Sequence, residues 1–194
     1  MTSLLVRNVR VLTLGPDTAL EAEVDTVDLC ALPFANVLME DGKIVEVSET
    51  KEAESPAVWD KGVTLDARGR VLMPAFVDCH THACWAGNRL DEWQAKLRGA
   101  SYLELLKAGG GIMSTVRMVR DSSEAELAEM LTERLDAMLR EGTTTAEVKS
   151  GYGLNTETEL KMLRAIHEAG RRWPGRLVAT ACIGHAVDPA CQHR

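Results

Sequence analysis

The second part of the chain alternates short apolar stretches with amphipathic ones, and this alternation constrains the fold more than any other feature. The stretches AFVDCH, TTTAEVKS and RLVATACIG have the composition of short, mostly buried strands. Between them lie two stretches with the apolar period of helices, Ser123 to Arg140 and Thr156 to about Gly170. Strands that alternate with helices of this length predict parallel β-α units.

The two helical stretches carry their own start and stop signals. Ser123-x-x-Glu126 has the sequence of a capping box, and Gly142 stands where the first helix is expected to end. The apolar face of this helix consists of Leu127, Met130, Leu131, Leu135, Met138 and Leu139. The second helix is predicted to begin at Thr156-x-x-Glu159. Its apolar face is predicted to contain Leu160, Leu163 and a structural His167.

The first part of the chain has a different pattern of apolar residues. LLVRNVRVLTL, ANVLME and KIVEVS are short β-rich stretches, and Asp41-Gly42 between the last two is typical of a hairpin turn. The acidic stretch from Gly15 to Phe34 has no clear period, and we interpret it as a loop excursion. The sequence therefore predicts a small β-sandwich-type domain, residues 1–70, followed by an α/β domain, residues 71–194.

The composition favours a globular protein with a small-molecule partner. The 194 residues are 45% hydrophobic and 26% charged, which is enough for a buried core. The net charge of −7 comes without a basic block, which argues against binding to nucleic acid. Arg7 and Arg10 interrupt the N-terminal apolar stretch, and no later stretch has the length of a membrane span, so we expect no membrane association. Five cysteines without a Cys-x-x-Cys pair favour the reducing cytoplasm.

Polar groups follow each of the three predicted strands. His80-Thr81-His82 ends the first strand, Ser150-Gly151-Tyr152 follows the second, and His185 follows the third. The carboxyl ends of parallel strands lie on one side of a sheet, and in α/β barrels that side carries the chemistry. We therefore expect these groups to converge on one site.

The two histidines of the first strand have two interpretations. Residues two apart on a strand point to the same side, so His80 and His82 are expected to share a face with Asp78. Two neutral imidazoles in this arrangement can bind one zinc or iron ion, and a catalytic site needs about three protein ligands plus a water. The alternative is a pair of histidines at the end of a barrel, satisfied by hydrogen bonds. The spacing alone leaves both open.

Other polar residues are candidates for ligand contacts. Arg89 lies in a predicted loop. Its planar guanidinium could bind a carboxylate through two N–H groups or simply face solvent. Tyr152 stands in a Gly-Tyr-Gly turn where no apolar period requires an aromatic, so we interpret it as a ligand contact rather than core packing, with a loop plug as the alternative. Glu147 and Lys149 share a strand face and predict an internal ion pair.

Glycines and cysteines give weaker signals. The run from Gly109 to Gly111 lacks the Gly-Lys-Ser/Thr ending of a phosphate-binding loop, and we interpret it as a mobile loop near a ligand. Cys79 and Cys84 are interpreted as small apolar fillers.

Four segments of the chain resemble the imidazolonepropionase family of the amidohydrolase superfamily. They are MPAFVDCHTHACWAGNRLDEW, GASYLELLKAGGGIMSTVR, EGTTTAEVKSGYGLNTETELKMLRAI and IGHAV. The Pro-x-Phe-Val-Asp-x-His-Thr-His pattern indicates only the superfamily, whereas Ala-Gly-Asn-Arg and Lys-Ser-Gly-Tyr-Gly-Leu are more specific. The resemblance extends over nearly the whole chain.

The resemblance implies a fold and an activity. The fold would be a TIM-like (β/α)8 barrel, of which this chain supplies about three β-α units. The activity would be metal-dependent hydrolysis of the cyclic amide of 4-imidazolone-5-propanoate to N-formimino-L-glutamate, in histidine catabolism. In the family, a third metal histidine, an acid/base carboxylate and a metal-binding aspartate come from later strands. The chain is therefore interpreted as an N-terminal, truncated part that is inactive by itself.

The resemblance also implies roles for individual residues. His80 and His82 would be ligands of the zinc or iron ion, Arg89 would clamp the propanoate carboxylate, and Tyr152 would contact the substrate. His185 would be the catalytic group that polarises the ring carbonyl. The family reads Gly-Ala-His-Ala where this chain has one residue fewer before the histidine. Such a one-residue shift at a strand end would turn the His185 side chain to the opposite face of the sheet unless the loop compensates.

Two other functions remain open from the sequence. One is a different cyclic-amide hydrolase or a deaminase of the same superfamily, which would lack the preference for a carboxylate that Arg89 predicts. The other is a non-catalytic half-barrel module that pairs with another chain. The sequence is compatible with a homodimer but does not specify an oligomeric state.

Overall fold

The computed structural model describes residues 3–13, 31–51 and 62–191. The chain divides into two units, Met1–Pro74 and Ala75–Arg194. Among the described helices, none combines the length and the apolar character needed to cross a bilayer.

The described part of the first unit contains five strands in one mixed sheet. The strands are β1 (Ser3–Leu12), β2 (Ala31–Glu40), β3 (Lys43–Glu49), β4 (Val63–Asp66) and β5 (Val71–Leu72). The sheet order is β3-β2-β1-β4, with β5 also paired to β1. Strand β1 is antiparallel to β2 and parallel to β4 and β5. Among the described residues of this unit, the buried apolar side chains are Val6, Val9, Val11, Ala35, Val37 and Ala67.

The hairpin between β2 and β3 confirms the predicted turn. Asp41 and Gly42 have φ angles of 48° and 78°, the left-handed conformation that this dipeptide accepts in tight hairpins. The predicted loop excursion is wrong for residues 31–34, because β2 already pairs with β1 there, with Ala31 opposite Leu12 and Leu32 opposite Val11. The remainder of that predicted excursion, up to residue 30, lies outside the described residues.

The second unit is built from parallel strands and helices. Its strands are β6 (Phe76–Thr81), β7 (Thr143–Lys149) and β8 (Arg176–Thr180), and its helices are α1 (Leu90–Leu97), α2 (Tyr102–Lys107), α3 (Ile112–Asp121), α4 (Glu124–Arg140) and α5 (Thr156–Arg172). A short 3-10 turn follows at Pro189–Cys191. The sheet order is β6-β7-β8, and both pairings are parallel. The predicted parallel β-α units are confirmed.

Helix α4 follows its prediction closely. The Ser123 side chain accepts the backbone N–H of Glu126, and the Glu126 carboxylate accepts the backbone N–H of Ser123, so the capping box is formed. The apolar face of α4 packs with α5 and β7 in one core cluster, whose fully buried side chains include Leu127, Leu131, Leu135, Ala146, Val148, Met162 and Ile166. Burying each leucine or isoleucine stabilises the unit by about 1.5–3 kcal/mol.

Helix α5 buries a different face from the predicted one. Leu160 is 49% exposed and His167 is exposed, so the prediction that they lie on the buried face is wrong. The buried stripe is instead Met162, Ala165, Ile166 and Ala169. Two of these four residues are alanines, which allow close approach to the sheet but contribute little to an apolar pattern. Of the three residues predicted on the apolar face, Leu163 is confirmed, because it packs against this core.

Three short helices between β6 and α4 were not predicted. They have 8, 6 and 10 residues, too few for a clear apolar period. Arg89, predicted in a loop, is the N-cap residue of α1. Gly111 is the N-cap of α3, with φ 72°, so the glycine run connects α2 to α3.

The two cysteines predicted as fillers differ in burial. Cys84 is fully buried in the core of the second unit, as predicted. Cys79 is exposed, so that prediction is wrong. Its strand, β6, is an edge strand of the described sheet, and Phe76 and Val77 beside it are exposed as well.

Candidate functional site

The carboxyl ends of the three parallel strands bring three histidines and a tyrosine together. The ring centroids of His80 and His82 are 6.3 Å apart. The ring of His82 lies 4.5 Å from that of His185 and 5.4 Å from that of Tyr152. Tyr152 and His185 are 5.7 Å apart, edge to face. These four sequence-predicted residues therefore form one continuous cluster.

Ser150 joins the ends of all three strands. Its backbone N–H donates to the carbonyl of Thr180 at 3.0 Å, and its hydroxyl accepts the backbone N–H of Cys182 at 3.2 Å. Its own carbonyl oxygen lies 3.1 Å from Nδ1 of His82. Ser150 is fully buried, so these contacts are protected from competing water.

The contact with Ser150 selects the tautomer of His82. A carbonyl oxygen only accepts, so Nδ1 of His82 carries the proton and Nε2 keeps its lone pair. Burial lowers the pKa of His82, and the neighbouring His185 lowers it further, while the hydrogen bond to Ser150 opposes both effects. The ring is thus neutral with a free Nε2, the form in which imidazole binds a metal ion.

His185 reaches the cluster through a loop that leaves β8 early. The third strand was predicted to run through Gly184, but β8 ends at Thr180, so that prediction is wrong. The chain then turns at Gly184, which has φ 76°. His185 therefore lies beyond the strand, where side chains no longer alternate between the two faces of the sheet. The loop compensates for the residue that this chain lacks before the histidine.

Gly151 leaves room for the side chain of His185. A Cβ atom at Gly151 would lie 3.0 Å from Cβ of His185 and 3.3 Å from Cβ of Cys182. The φ angle of Gly151 is 119°, which side chains rarely tolerate. Both the backbone conformation and the close approach therefore require glycine here.

Glu159 fixes the loop that carries Tyr152, a role that its pattern in the sequence does not predict. One carboxylate oxygen accepts the N–H of Gly151 at 2.8 Å, and the other accepts those of Gly153 and Leu154 at 2.8 and 2.9 Å. We interpreted Glu159 as a helix-start signal, whereas Asn155 caps α5 by accepting the N–H of Thr158. The signal that could have revealed the role is an acidic residue closely following a glycine-rich turn, where backbone N–H groups lack strand or helix partners.

Arg89 and Tyr152 line a common cavity of about 430 Å³. The lining residues of this cavity include Trp85, Arg89, Trp93, Thr115, Met118 and Tyr152. Nη2 of Arg89 donates to the Glu92 carboxylate at 2.6 Å, and this contact raises the pKa of Arg89. A guanidinium has several N–H donors, so the contact with Glu92 leaves donors for a second carboxylate.

Tyr152 connects the cavity to the histidines. It lines the cavity of Arg89 and contacts the rings of His82 and His185. Burial raises its pKa, which the nearby Arg89 partly offsets, so the phenol is neutral and can donate a hydrogen bond. Apolar walls with one guanidinium suit a small organic anion, and the neighbouring imidazoles suit a borderline metal ion such as zinc or iron.

The predicted ion pair between Glu147 and Lys149 is confirmed, with 3.3 Å between Oε2 and Nζ. Glu147 also accepts the hydroxyl of Thr180 at 2.7 Å, and this hydrogen bond holds its pKa below the ordinary value. The ion pair lies within β7, and the hydrogen bond from Thr180 links β7 to β8.

Comparison with known proteins supports the resemblance found in the sequence. The imidazolonepropionase of Herpetosiphon aurantiacus is 44% identical over 183 residues, which are 94% of this chain and 42% of the relative. The chain therefore spans less than half the length of this curated relative. The resemblance to imidazolonepropionases is confirmed.

Solved structures share the fold at low identity. A triazine hydrolase variant matches with a TM-score of 0.57 and 21% identity, over 93% of this chain and 36% of that chain. Atrazine chlorohydrolase TrzN from Arthrobacter aurescens TC1, complexed with zinc, matches with a TM-score of 0.53 and 19% identity, over 92% of this chain and 35% of that chain. At these identities the likeness concerns the fold alone.

The family model described as Amidohydrolase family matches residues 71–182. This range is more than half of the chain, and it contains the three parallel strands with His80, His82 and Tyr152 at their ends. Both the sequence match and the arrangement of the strands lead to the same conclusion: the chain belongs to the amidohydrolase family.

Proposed function

We propose that this chain is the part of an imidazolonepropionase that binds the substrate carboxylate and contributes histidines to a metal site. The reaction is the hydrolysis of 4-imidazolone-5-propanoate to N-formimino-L-glutamate in histidine catabolism. The observation that carries the proposal is the position of Tyr152, which lines the cavity of Arg89 and contacts His82 and His185. A substrate that carries a carboxylate arm on a reactive ring needs a site in which the anion-binding group and the catalytic groups lie this close together.

The finer fold assignment belongs to the same proposal. The strands β6, β7 and β8 would be the first strands of a TIM-like (β/α)8 barrel, following a β-sandwich-type domain. The parallel order along the chain and the location of the polar groups at the carboxyl ends of the strands support this assignment.

His80 and His82 would hold the zinc or iron ion. The donor chemistry fits, because His82 keeps Nε2 free and the ring of His80 lies beside it. The chemistry that such an ion supplies when bound is Lewis acidity, which lowers the pKa of water towards neutrality.

The other residues bind and orient the substrate. Arg89 donates to the propanoate carboxylate in a cavity that Trp85 and Trp93 also line. Tyr152 fixes the ring between the cavity and the histidines. His185 donates a hydrogen bond to the ring carbonyl oxygen and stabilises the negative charge that develops there during hydrolysis.

A binding experiment on the 194-residue chain tests the proposal. Isothermal titration calorimetry would compare 4-imidazolone-5-propanoate with its methyl ester, which lacks the negative charge. The wild-type chain should bind the acid more tightly than the ester. Arg89→Met should remove this preference, and Arg98→Met, which changes an exposed arginine after α1, should preserve it.

Two results would contradict the proposal. Equal affinity of the wild-type chain for acid and ester would exclude Arg89 as a carboxylate clamp. Equal effects of the two arginine substitutions would show that only net charge matters. Either result would favour another cyclic-amide hydrolase or deaminase of the superfamily.

A further inference from the structure

We propose that His82, Cys182 and His185 form a binding site for a thiophilic divalent cation such as zinc. One ligand atom of each residue lies within 4.8 Å of those of the other two. Sγ of Cys182 is 3.6 Å from Nδ1 of His185. Sulfur and nitrogen ligands of one tetrahedral zinc ion are about 3.6 Å apart, given the usual zinc–ligand distances. This pair therefore already has the separation that a shared ion requires.

The three ligands are held by contacts that do not involve an ion. Ser150 accepts the backbone N–H of Cys182 with its hydroxyl and holds the ring of His82 with its carbonyl. A Cβ atom placed at Gly151 would lie 3.0 Å from Cβ of His185 and 3.3 Å from Cβ of Cys182, so both residues lie close against the backbone of Gly151. The site is thus preorganised at the ends of β6, β7 and β8.

The donor set determines which cation binds. Two imidazoles and one thiolate suit zinc and exclude magnesium and calcium, which prefer oxygen ligands. Three protein ligands leave one position open for water or an added ligand. Cys182 binds as the thiolate, so each ion that binds releases the thiol proton to solvent.

This site goes beyond the proposed function, because it requires neither His80 nor Arg89. It uses His82 and His185, which the proposed hydrolysis also needs. Because Ser150 holds Nδ1 of His82, only Nε2 of this ring can bind an ion, and a cation held with Cys182 and His185 would exclude one held by the His80–His82 pair. Cation binding at Cys182 would therefore oppose the proposed hydrolysis by taking His82 from the His80–His82 pair.

Cobalt(II) spectroscopy tests the ligand set on the whole 194-residue chain. Cobalt(II) replaces zinc in such sites, and a thiolate ligand gives a sulfur-to-metal charge-transfer band that imidazoles alone do not give. The wild-type chain should show this band and reach saturation near one equivalent. His80→Asn and Cys191→Ser should keep the band. Cys182→Ser should lose it and bind the ion at least about tenfold more weakly, since even outer-shell substitutions cost about 10–100-fold in affinity.

A second measurement needs no variant. Iodoacetamide labelling followed by peptide mass spectrometry would compare Cys182 with Cys191, an exposed cysteine of the same chain. Saturating zinc should slow the labelling of Cys182, because a metal-bound thiolate is not free to react, and leave Cys191 unchanged.

Three results would overturn the inference: no charge-transfer band in the wild-type chain, a band that persists in Cys182→Ser, or labelling of Cys182 that zinc does not slow. Failure of this inference is distinguishable from failure of the proposed function. Metal binding that survives Cys182→Ser but is lost in His80→Asn would refute the cysteine site and support the His80–His82 pair.

Discussion

The backbone carbonyl oxygen of Ser150 lies 3.1 Å from Nδ1 of His82, although the two residues are 68 positions apart in the chain. The contact uses only main-chain atoms of Ser150, so it depends on where β7 ends rather than on the serine side chain. The hydroxyl of the same residue holds Cys182, 32 positions further on. One buried residue therefore orients groups from both neighbouring strands.

Replacement of Gly151 by alanine should destabilise the second unit and displace His185. The new Cβ would meet Cβ of His185 at 3.0 Å, on a backbone with φ 119°. We expect about 1–2 kcal/mol of backbone strain, plus a steric cost that urea unfolding would measure. A shift of the His185 ring resonances in NMR spectra would report the displacement.

Gly99→Ala is the matched control for this substitution. Gly99 has a φ angle of 97°, but nothing lies within 4 Å of a Cβ atom placed there. Gly99→Ala therefore introduces backbone strain without a steric clash. Equal losses of unfolding free energy in the two variants would mean that His185 and Cys182 move away freely, contrary to the close packing described above.

Glu159→Gln should loosen the loop that carries Tyr152. The amide keeps one oxygen acceptor but turns an N–H group towards one of the three backbone N–H donors of the loop. A buried donor left without an acceptor costs about 1–3 kcal/mol, which chemical denaturation can resolve. Glu157→Gln, an exposed substitution on the same helix, should leave the unfolding free energy nearly unchanged. Faster hydrogen exchange at Gly151 and Gly153 should accompany the loss in Glu159→Gln, and its absence would contradict the assigned role.

Much of the fold follows from local sequence, because large side chains at regular spacing signal an element directly. Helix α4 shows this: a capping box, a stripe of leucines and a closing glycine all agree. Helix α5 shows the limit, since Ala165 and Ala169 carry half of its buried stripe and hardly register as apolar.

The site was predictable only in part, for a similar reason. Each histidine and Tyr152 directly follows or ends a predicted strand, and parallel strands place such groups on one side. The contacts that organise them join residues that the sequence does not relate. Cys182 shows this best: it has no cysteine partner at a recognisable spacing, and its neighbour His82 is on another strand end.

Acid should weaken the capping box of α4. The backbone N–H and hydroxyl of Ser123 lower the pKa of Glu126 below its ordinary value of 4.5. A carboxyl whose pKa is lower in the folded state stabilises the fold above the unfolded pKa, and this contribution disappears as the pH falls through the folded pKa. Glu126→Gln should therefore be less stable than wild type at neutral pH, and the difference should shrink in acid. Thermal unfolding across this range measures it, and a difference that stays constant would contradict the assigned cause.

Glu92 should compete with a bound carboxylate for Arg89. Its Oε2 atom accepts from Nη2 of Arg89 at 2.6 Å and from the backbone N–H of Gly111 at 3.1 Å. Glu92→Gln keeps an acceptor for Gly111 but removes the negative charge, so the guanidinium becomes more available to a substrate carboxylate. Because a partly exposed ion pair is worth about 0–1 kcal/mol, we expect affinity for 4-imidazolone-5-propanoate to rise by up to about fivefold.

Asp91→Asn separates this local effect from a change in net charge. Asp91 is exposed in the same turn of α1 and is also acidic, so its substitution changes the net charge equally. Calorimetry should show tighter binding of the acid only in Glu92→Gln, with the affinity for the methyl ester unchanged in both variants. Weaker binding of the acid by Glu92→Gln would mean that Glu92 holds Arg89 in position for the substrate, because loss of an orienting contact would then outweigh the loss of a competitor.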